Sequence, residues 1–133
     1  MRVSELMQND LETVSADTPV SDVFLSFADS RVSALPVMDR EGRLVGVISK
    51  TDLVAAEEDA QGEPARDRLF EGTLARDLMT SPALTIPPDA SVRDAAQQML
   101  SAGVHRLFVS AGEGPVGVIS ITDILRAVAR GQL

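Results

Sequence analysis

The chain has 133 residues, a formal net charge of −8 and a pI near 4.5, a balance that opposes binding to a nucleic-acid polymer, whose affinity comes from clustered Lys and Arg. It contains no Cys, which removes disulfide scaffolds, thiolate nucleophiles and cysteine-zinc sites together and fits a reducing cytoplasm. Arg2, Glu5, Asp10, Glu12 and Asp17 interrupt the N-terminal stretch and no run of about 18 apolar residues occurs, so neither a leader nor a membrane span is expected and the chain is read as cytoplasmic.

In chain order, an extended segment from Leu11 to Val14 leads to Thr18-Pro19, predicted as an N-cap followed by Pro at the first helical position. Val20, Val23, Phe24, Phe27 and Ala28 then fall at i, i+3, i+4, i+7 and i+8, one stripe of a helix. The runs Ser33 to Met38 and Leu44 to Ser49, separated by Asp39-Arg40-Glu41-Gly42, predict a β-hairpin. Pro36 cannot donate to a ladder, so its strand should lie at an edge or leave its amide side unpaired. A helix from about Thr51 to Ala56 follows. The acidic stretch Glu57 to Pro64 reads as a solvated linker, and Leu69, Phe70, Leu74, Leu78 and Met79 as a short helical return.

The same order then recurs. Ala83 to Ile86 is extended, Asp89-Ala90-Ser91 leaves the cap open, and Val92, Ala95, Ala96, Met99 and Leu100 form the stripe, with Gly103 as the stopping residue. A second hairpin joins His105 to Ser110 with Val116 to Ser120 across Gly112-Glu113-Gly114, and a last helix runs from about Thr122 to Arg130. The correspondence is a true internal repeat: Gly46-Val47-Ile48-Ser49-Lys50-Thr51-Asp52 returns as Gly117-Val118-Ile119-Ser120-Ile121-Thr122-Asp123, and Leu6-Met7 returns as Leu78-Met79. Neither copy of such a unit buries its apolar face alone. The expected fold is therefore α+β, two β-α-β-β-α repeats about a pseudo-two-fold axis, each with a small, mostly three-stranded sheet and two helices. The expected divisions are 1–60, a linker and helical return at 61–74, and 75–133, with the two halves sharing one core.

Ser49-Lys50-Thr51-Asp52 and Ser120-Ile121-Thr122-Asp123 match the capping box at the head of a helix, and capping alone explains them. The same corner also offers free N–H groups and a positive dipole end to a phosphate, and its Asp can accept two hydrogen bonds from a vicinal diol such as a ribose. The spacing leaves both readings open.

The twofold pattern Leu-Met, Thr-[Val/Ile], amphipathic helix, Leu-[Pro/Phe]-Val and Gly-Val-Ile-Ser-x-Thr-Asp resembles the tandem CBS module named after cystathionine β-synthase, across roughly residues 3 to 130. The resemblance implies a regulatory module, not an enzyme, that binds AMP, ADP or ATP in clefts between the repeats, requires no cofactor or metal, pairs into a homodimer through its helices and signals to a partner protein. By the resemblance Asp52 and Asp123 hold ribose hydroxyls, and Ser49, Thr51, Ser120 and Thr122 contact phosphate or ribose. Thr13-Val14, Thr85-Ile86, Leu35-Pro36 and Leu107-Phe108 wall the adenine. His105-Arg106 resembles the family's His-Arg-Leu-Pro-Val run, whose basic pair meets the phosphate. The first repeat has Ser33-Ala34 there, so a charged nucleotide should prefer the cleft that Arg106 reaches.

Ile124, Leu125 and Val128 on the last helix either offer an apolar patch for pairing or cover the shared core. Gly112-Glu113-Gly114-Pro115-Val116-Gly117 satisfies Gly-x-Gly-x-x-Gly but runs into a strand instead of opening a helix, so it is a hairpin turn and not a dinucleotide fingerprint. With one His, no Cys and no Walker A, His-Glu-x-x-His or Gly-x-Ser-x-Gly motif, no nucleophile and base pair is available for catalysis. The rival readings are an S-adenosylmethionine, dinucleotide or cyclic dinucleotide sensor and a ligand-free scaffold.

Overall fold

A computed structural model of the chain describes residues 1–29, 32–112 and 114–133. Its elements are α1 (Val3–Leu6), β1 (Val14–Ser15), α2 (Val20–Ala28), β2 (Ala34–Met38), β3 (Leu44–Ser49), α3 (Lys50–Asp59), α4 (Glu63–Gly72), α5 (Ala75–Leu78), β4 (Thr85–Ile86), α6 (Val92–Ala102), β5 (Arg106–Ser110), β6 (Pro115–Ser120) and α7 (Ile121–Ala129). The β-α-β-β-α order is present twice, and the fold is α+β. In each copy a parallel pair, β1 with β2 or β4 with β5, continues into an antiparallel hairpin, giving three-stranded sheets ordered β1-β2-β3 and β4-β5-β6. Pro115 opens β6, so the glycine-rich run is a turn into a strand as its context requires; its Glu113 lies outside the described residues.

The compact units do not follow the sequence repeats. One unit is Glu12–Ala83, and the other joins Met1–Leu11 to Leu84–Leu133. Each has its own hydrophobic core, which replaces the single shared core expected from length. Val14, Val20, Val23, Phe27, Leu35, Val37, Ile48, Leu53, Leu69 and Ala75 fill the first. Val3, Ile86, Ala95, Met99, Leu107, Val109 and Ile119 fill the second.

The Leu-Met segments that head the repeats explain this division. Thr80, just past Leu78-Met79, bridges Val47 on β3 through bonds of 2.8 and 2.9 Å, while Gln8, just past Leu6-Met7, bridges Val118 on β6 through bonds of 2.8 and 2.9 Å. Each segment thus extends the hairpin of the sequence repeat that it does not head. The close approach demands glycine beside each bridge. A Cβ on Gly46 would lie 2.6 Å from Met79 Sδ and 2.8 Å from the Thr80 carbonyl, and one on Gly117 would lie 2.7 Å from Met7 Sδ and 2.9 Å from the Gln8 carbonyl.

Three local expectations change. Pro19 is the N-cap of α2, not its first residue: the chain pairs with Leu74 there, and the Val20 amide donates to the Thr73 carbonyl instead of to a cap. Helix α3 runs through Glu57-Glu58-Asp59, so the supposed linker shortens to 60–62; Glu57 gains an ion pair at 3.0 Å with Arg66 on α4. Leu100 continues the α6 stripe in sequence yet is 77% exposed, while Val92, Ala95 and Met99 are buried. For Pro36 the second of the two alternatives holds: its strand is central, and its amide side goes unpaired. Val47, its register partner, points its amide and carbonyl to Thr80, so Pro36 N faces β1. At the matching position Phe108 N donates to the Leu84 carbonyl at 3.3 Å, a bond that Pro36 cannot make. The second cap is settled as Ser91, whose Oγ accepts from the Asp94 amide at 3.0 Å.

Candidate functional site

A strand that ends in Ser and runs straight into a helix creates the same corner in each unit. At the head of α3 the Ser49 amide donates to Asp52 Oδ2 at 2.9 Å and the Asp52 amide donates to Ser49 Oγ at 3.1 Å. At the head of α7 the Ser120 amide donates to Asp123 Oδ2 at 2.9 Å and the Asp123 amide to Ser120 Oγ at 3.1 Å. The first helical amides, Lys50 and Ile121, donate to the carbonyls of Ser33 and His105 at 3.0 and 2.9 Å. The second, those of Thr51 and Thr122, have no intrahelical acceptor and lie beneath exposed threonine side chains. A backbone donor at a positive dipole end, a hydroxyl and a carboxylate therefore converge at each corner.

The two carboxylates are not equally available. Among the described residues Asp52 Oδ1 has no hydrogen bond, and the side chain is half-buried. Asp123 Oδ1 accepts from Gln8 Nε2 at 3.1 Å and from Arg126 Nη1 at 3.4 Å, and the residue is only 7% exposed. A pocket of about 270 Å³ opens at this second corner, lined by Glu5, Leu6, Gln8, Asp123, Arg126 and Arg130 among others. The larger hollow of about 1060 Å³ between α3 and α4 is lined by Glu57, Glu58, Asp59, Arg66 and Phe70 and includes none of the expected site residues.

Arg106 lies across the β5–β6 ladder from Ser120, so the basic residue stands beside the Asp123 corner of its own unit; the matching pair in the other unit is Ala34 and Ser49. His105 is exposed. Of the expected adenine walls, Val14, Leu35, Ile86 and Leu107 are committed to the cores. Pro36 and Phe108 are buried and, by strand alternation, face the other side of their sheets. Thr13 and Thr85 are exposed, the latter with its carbonyl accepting from Gln98 at 3.0 Å.

Sequence reasoning missed Gln8 and Arg126. Arg126 carries a readable signal, since a residue three beyond Asp123 on a helix shares its face; Gln8 carries none, because its place at the corner depends on a bridge from a distant segment. No group of His, Cys, Asp and Glu among the described residues could hold a metal ion, and no described helix is long and apolar enough to cross a membrane.

The chain matches known proteins along nearly its whole length. The uncharacterized protein MJ1404 of Methanocaldococcus jannaschii is 31% identical over 116 residues, 86% of this chain but 26% of that protein. The 5'-AMP-activated protein kinase subunit gamma-3 of Sus scrofa is 29% identical over 120 residues, 90% of this chain and 23% of the subunit. The chain thus spans about a quarter of the length of either relative. Among solved structures, CBSX2 in complex with AMP superposes with a TM-score of 0.82 at 28% identity, covering 99% of this chain and 98% of that one. The CBS domain model itself matches twice, at residues 3–59 and 75–130, which enclose both Ser-x-x-Asp corners, and on that match the chain belongs to the CBS domain family.

Proposed function

We propose that the chain is a non-catalytic regulatory module that binds AMP, ADP or ATP and passes its occupancy to a partner protein. The observation that carries this reading is Asp52, a carboxylate held rigidly by its capping box with one oxygen still to offer, as a ribose diol requires. The 28% identity to CBSX2, solved with AMP, supports adenine nucleotide as the ligand. In this reading Asp52 and Asp123 accept ribose hydroxyls, while the Thr51 and Thr122 amides and hydroxyls, with Ser49 and Ser120, meet ribose or phosphate. His105 and Arg106 supply positive charge. The main chain around Thr13-Val14 and Thr85-Ile86, with Leu35-Pro36 and Leu107-Phe108, borders the base. Occupancy acts on the partner only through the ligand's affinity difference between two states of the module. Leu125 and Val128, 62% and 55% exposed on α7, serve a homodimer, and the setting is the cytoplasm.

A ligand-free scaffold is the competing reading, favoured by the completeness of both capping boxes. Melting curves against AMP, ADP, ATP, S-adenosylmethionine and a cyclic dinucleotide separate the two. A ligand at about 100-fold its Kd adds roughly 2.7 kcal/mol, on the order of 10 °C for a chain of this size. Asp52→Ala should abolish most of that shift. If no compound moves the transition at millimolar concentration and Asp52→Ala costs only the ~1 kcal/mol of a lost cap, the module is a scaffold.

A further inference from the structure

We infer that Gln8 and Arg126 form a clasp on Asp123 that keeps this corner from accepting a ribose diol, so that the two corners take up adenosine unequally and the Asp52 corner fills first. The inference rests on the adenosyl reading above and adds which residues set the order of filling. A diol must replace existing bonds at Asp123, because Oδ2 is held by the Ser120 amide and Oδ1 by Gln8 Nε2 and Arg126 Nη1. At Asp52 only Oδ2 is engaged. The corresponding positions in the other unit are Thr80, which bridges Val47 as Gln8 bridges Val118, and Ala55, three residues beyond Asp52; an alanine offers no donor at all.

The clasp is not needed to build the corner, since the Asp52 corner has the same box distances without it. It is also built to open. Gln8 is exposed, Arg126 is 47% exposed, and the Arg126 contact at 3.4 Å is long for a charge-assisted bond. The pocket at this corner gives both side chains room to turn away.

Adenosine is the probe, because it carries the diol and lacks the phosphate that Arg126 could attract. By titration calorimetry the wild type should bind one equivalent tightly. Gln8→Thr/Arg126→Ala, which copies the other unit, should gain a second equivalent or tighten the weaker one fivefold or more, and Arg126→Ala alone should give part of that gain. Adding Asp123→Asn to the double variant should remove it. Unchanged or weaker adenosine binding in the double variant, or a gain that survives Asp123→Asn, overturns the clasp while leaving the adenosyl reading intact. If neither the wild type nor any variant takes up adenosine, AMP or S-adenosylmethionine, the adenosyl reading falls and the clasp with it.

Discussion

The Asp52 and Asp123 corners share a backbone and differ in nearly every side chain that faces them. Ser, Thr and Asp recur with the same 2.9 and 3.1 Å cap bonds, yet Ala34, Ala55 and Thr80 at one corner stand where Arg106, Arg126 and Gln8 stand at the other. The hairpin turns show the same division of labour. Asp39 Oδ1 accepts from the amides of Glu41 and Arg43 at 2.9 Å while its Oδ2 pairs with Arg43, whereas Ser110 holds the second turn with an uncharged hydroxyl that accepts from the Gly112 amide and donates to the Gly114 carbonyl. Duplication kept the groups that satisfy main-chain donors and acceptors, and let the charge around them diverge.

The strongest way to break the comparison is at the shared backbone. Gly46→Ala and Gly117→Ala should each cost about 2 kcal/mol, because the methionine sulfur can move aside but the carbonyl of Thr80 or Gln8 is pinned by its bridge. Calorimetry should show a melting point lower by on the order of 8 °C for either variant. A loss confined to one unit would mean that the bridges are not equivalent.

Arg106→Ala sharpens the contrast in charge. AMP affinity at the Asp123 corner should fall roughly tenfold, as expected from about 1.5–3 kcal/mol for a bond to a charged group discounted for solvent, while adenosine affinity hardly changes. Added salt should reproduce part of the loss in the wild type. Equal weakening of both ligands would assign Arg106 to pocket shape and move S-adenosylmethionine ahead of AMP.

The smallest effect is at the turn. The backbone amide of Arg43, then its guanidinium, hold the Asp39 carboxyl below its ordinary value against some desolvation. A carboxylate with a lowered folded value stabilises above its unfolded value and loses that contribution as pH falls through the folded one. Asp39→Ser, which keeps a hydroxyl acceptor but removes the charge, should melt slightly below wild type at neutral pH. The gap should close in acid below the ordinary value of 3.8; a gap that persists at low pH would show that the charge is not its cause.

The duplication, both hairpins, the helical stripes and the Ser-x-x-Asp boxes were legible in the sequence because each is written within a few consecutive residues. The partner of each Leu-Met segment was not, since Leu6-Met7 and Leu78-Met79 look alike and covalent order does not say which strand each will bridge. Gly46 and Gly117 hinted at a close approach without naming what approaches. The acidic run at Glu57 hid helix because composition suggested solvent, while the pairing with Arg66 depends on α4 folding back. At the site, Asp123 and Asp52 read as equals; part of their difference, Arg126, was legible as a neighbour on the same helix face, but Gln8 lies 115 positions from Asp123.

The exchange of leading segments also gives the molecule a history. Residues 12–83 form an uninterrupted unit, whose internal contacts all lie within one continuous stretch of chain. The other unit joins two stretches, Met1–Leu11 and Leu84–Leu133, and closing the intervening loop of about 70 residues while it is unfolded costs on the order of 4 kcal/mol, which the Gln8–Val118 bridge and the packing of Val3 must recover. Folding of residues 12–83 shortens the flexible part of that loop, so the continuous unit eases assembly of the discontinuous one.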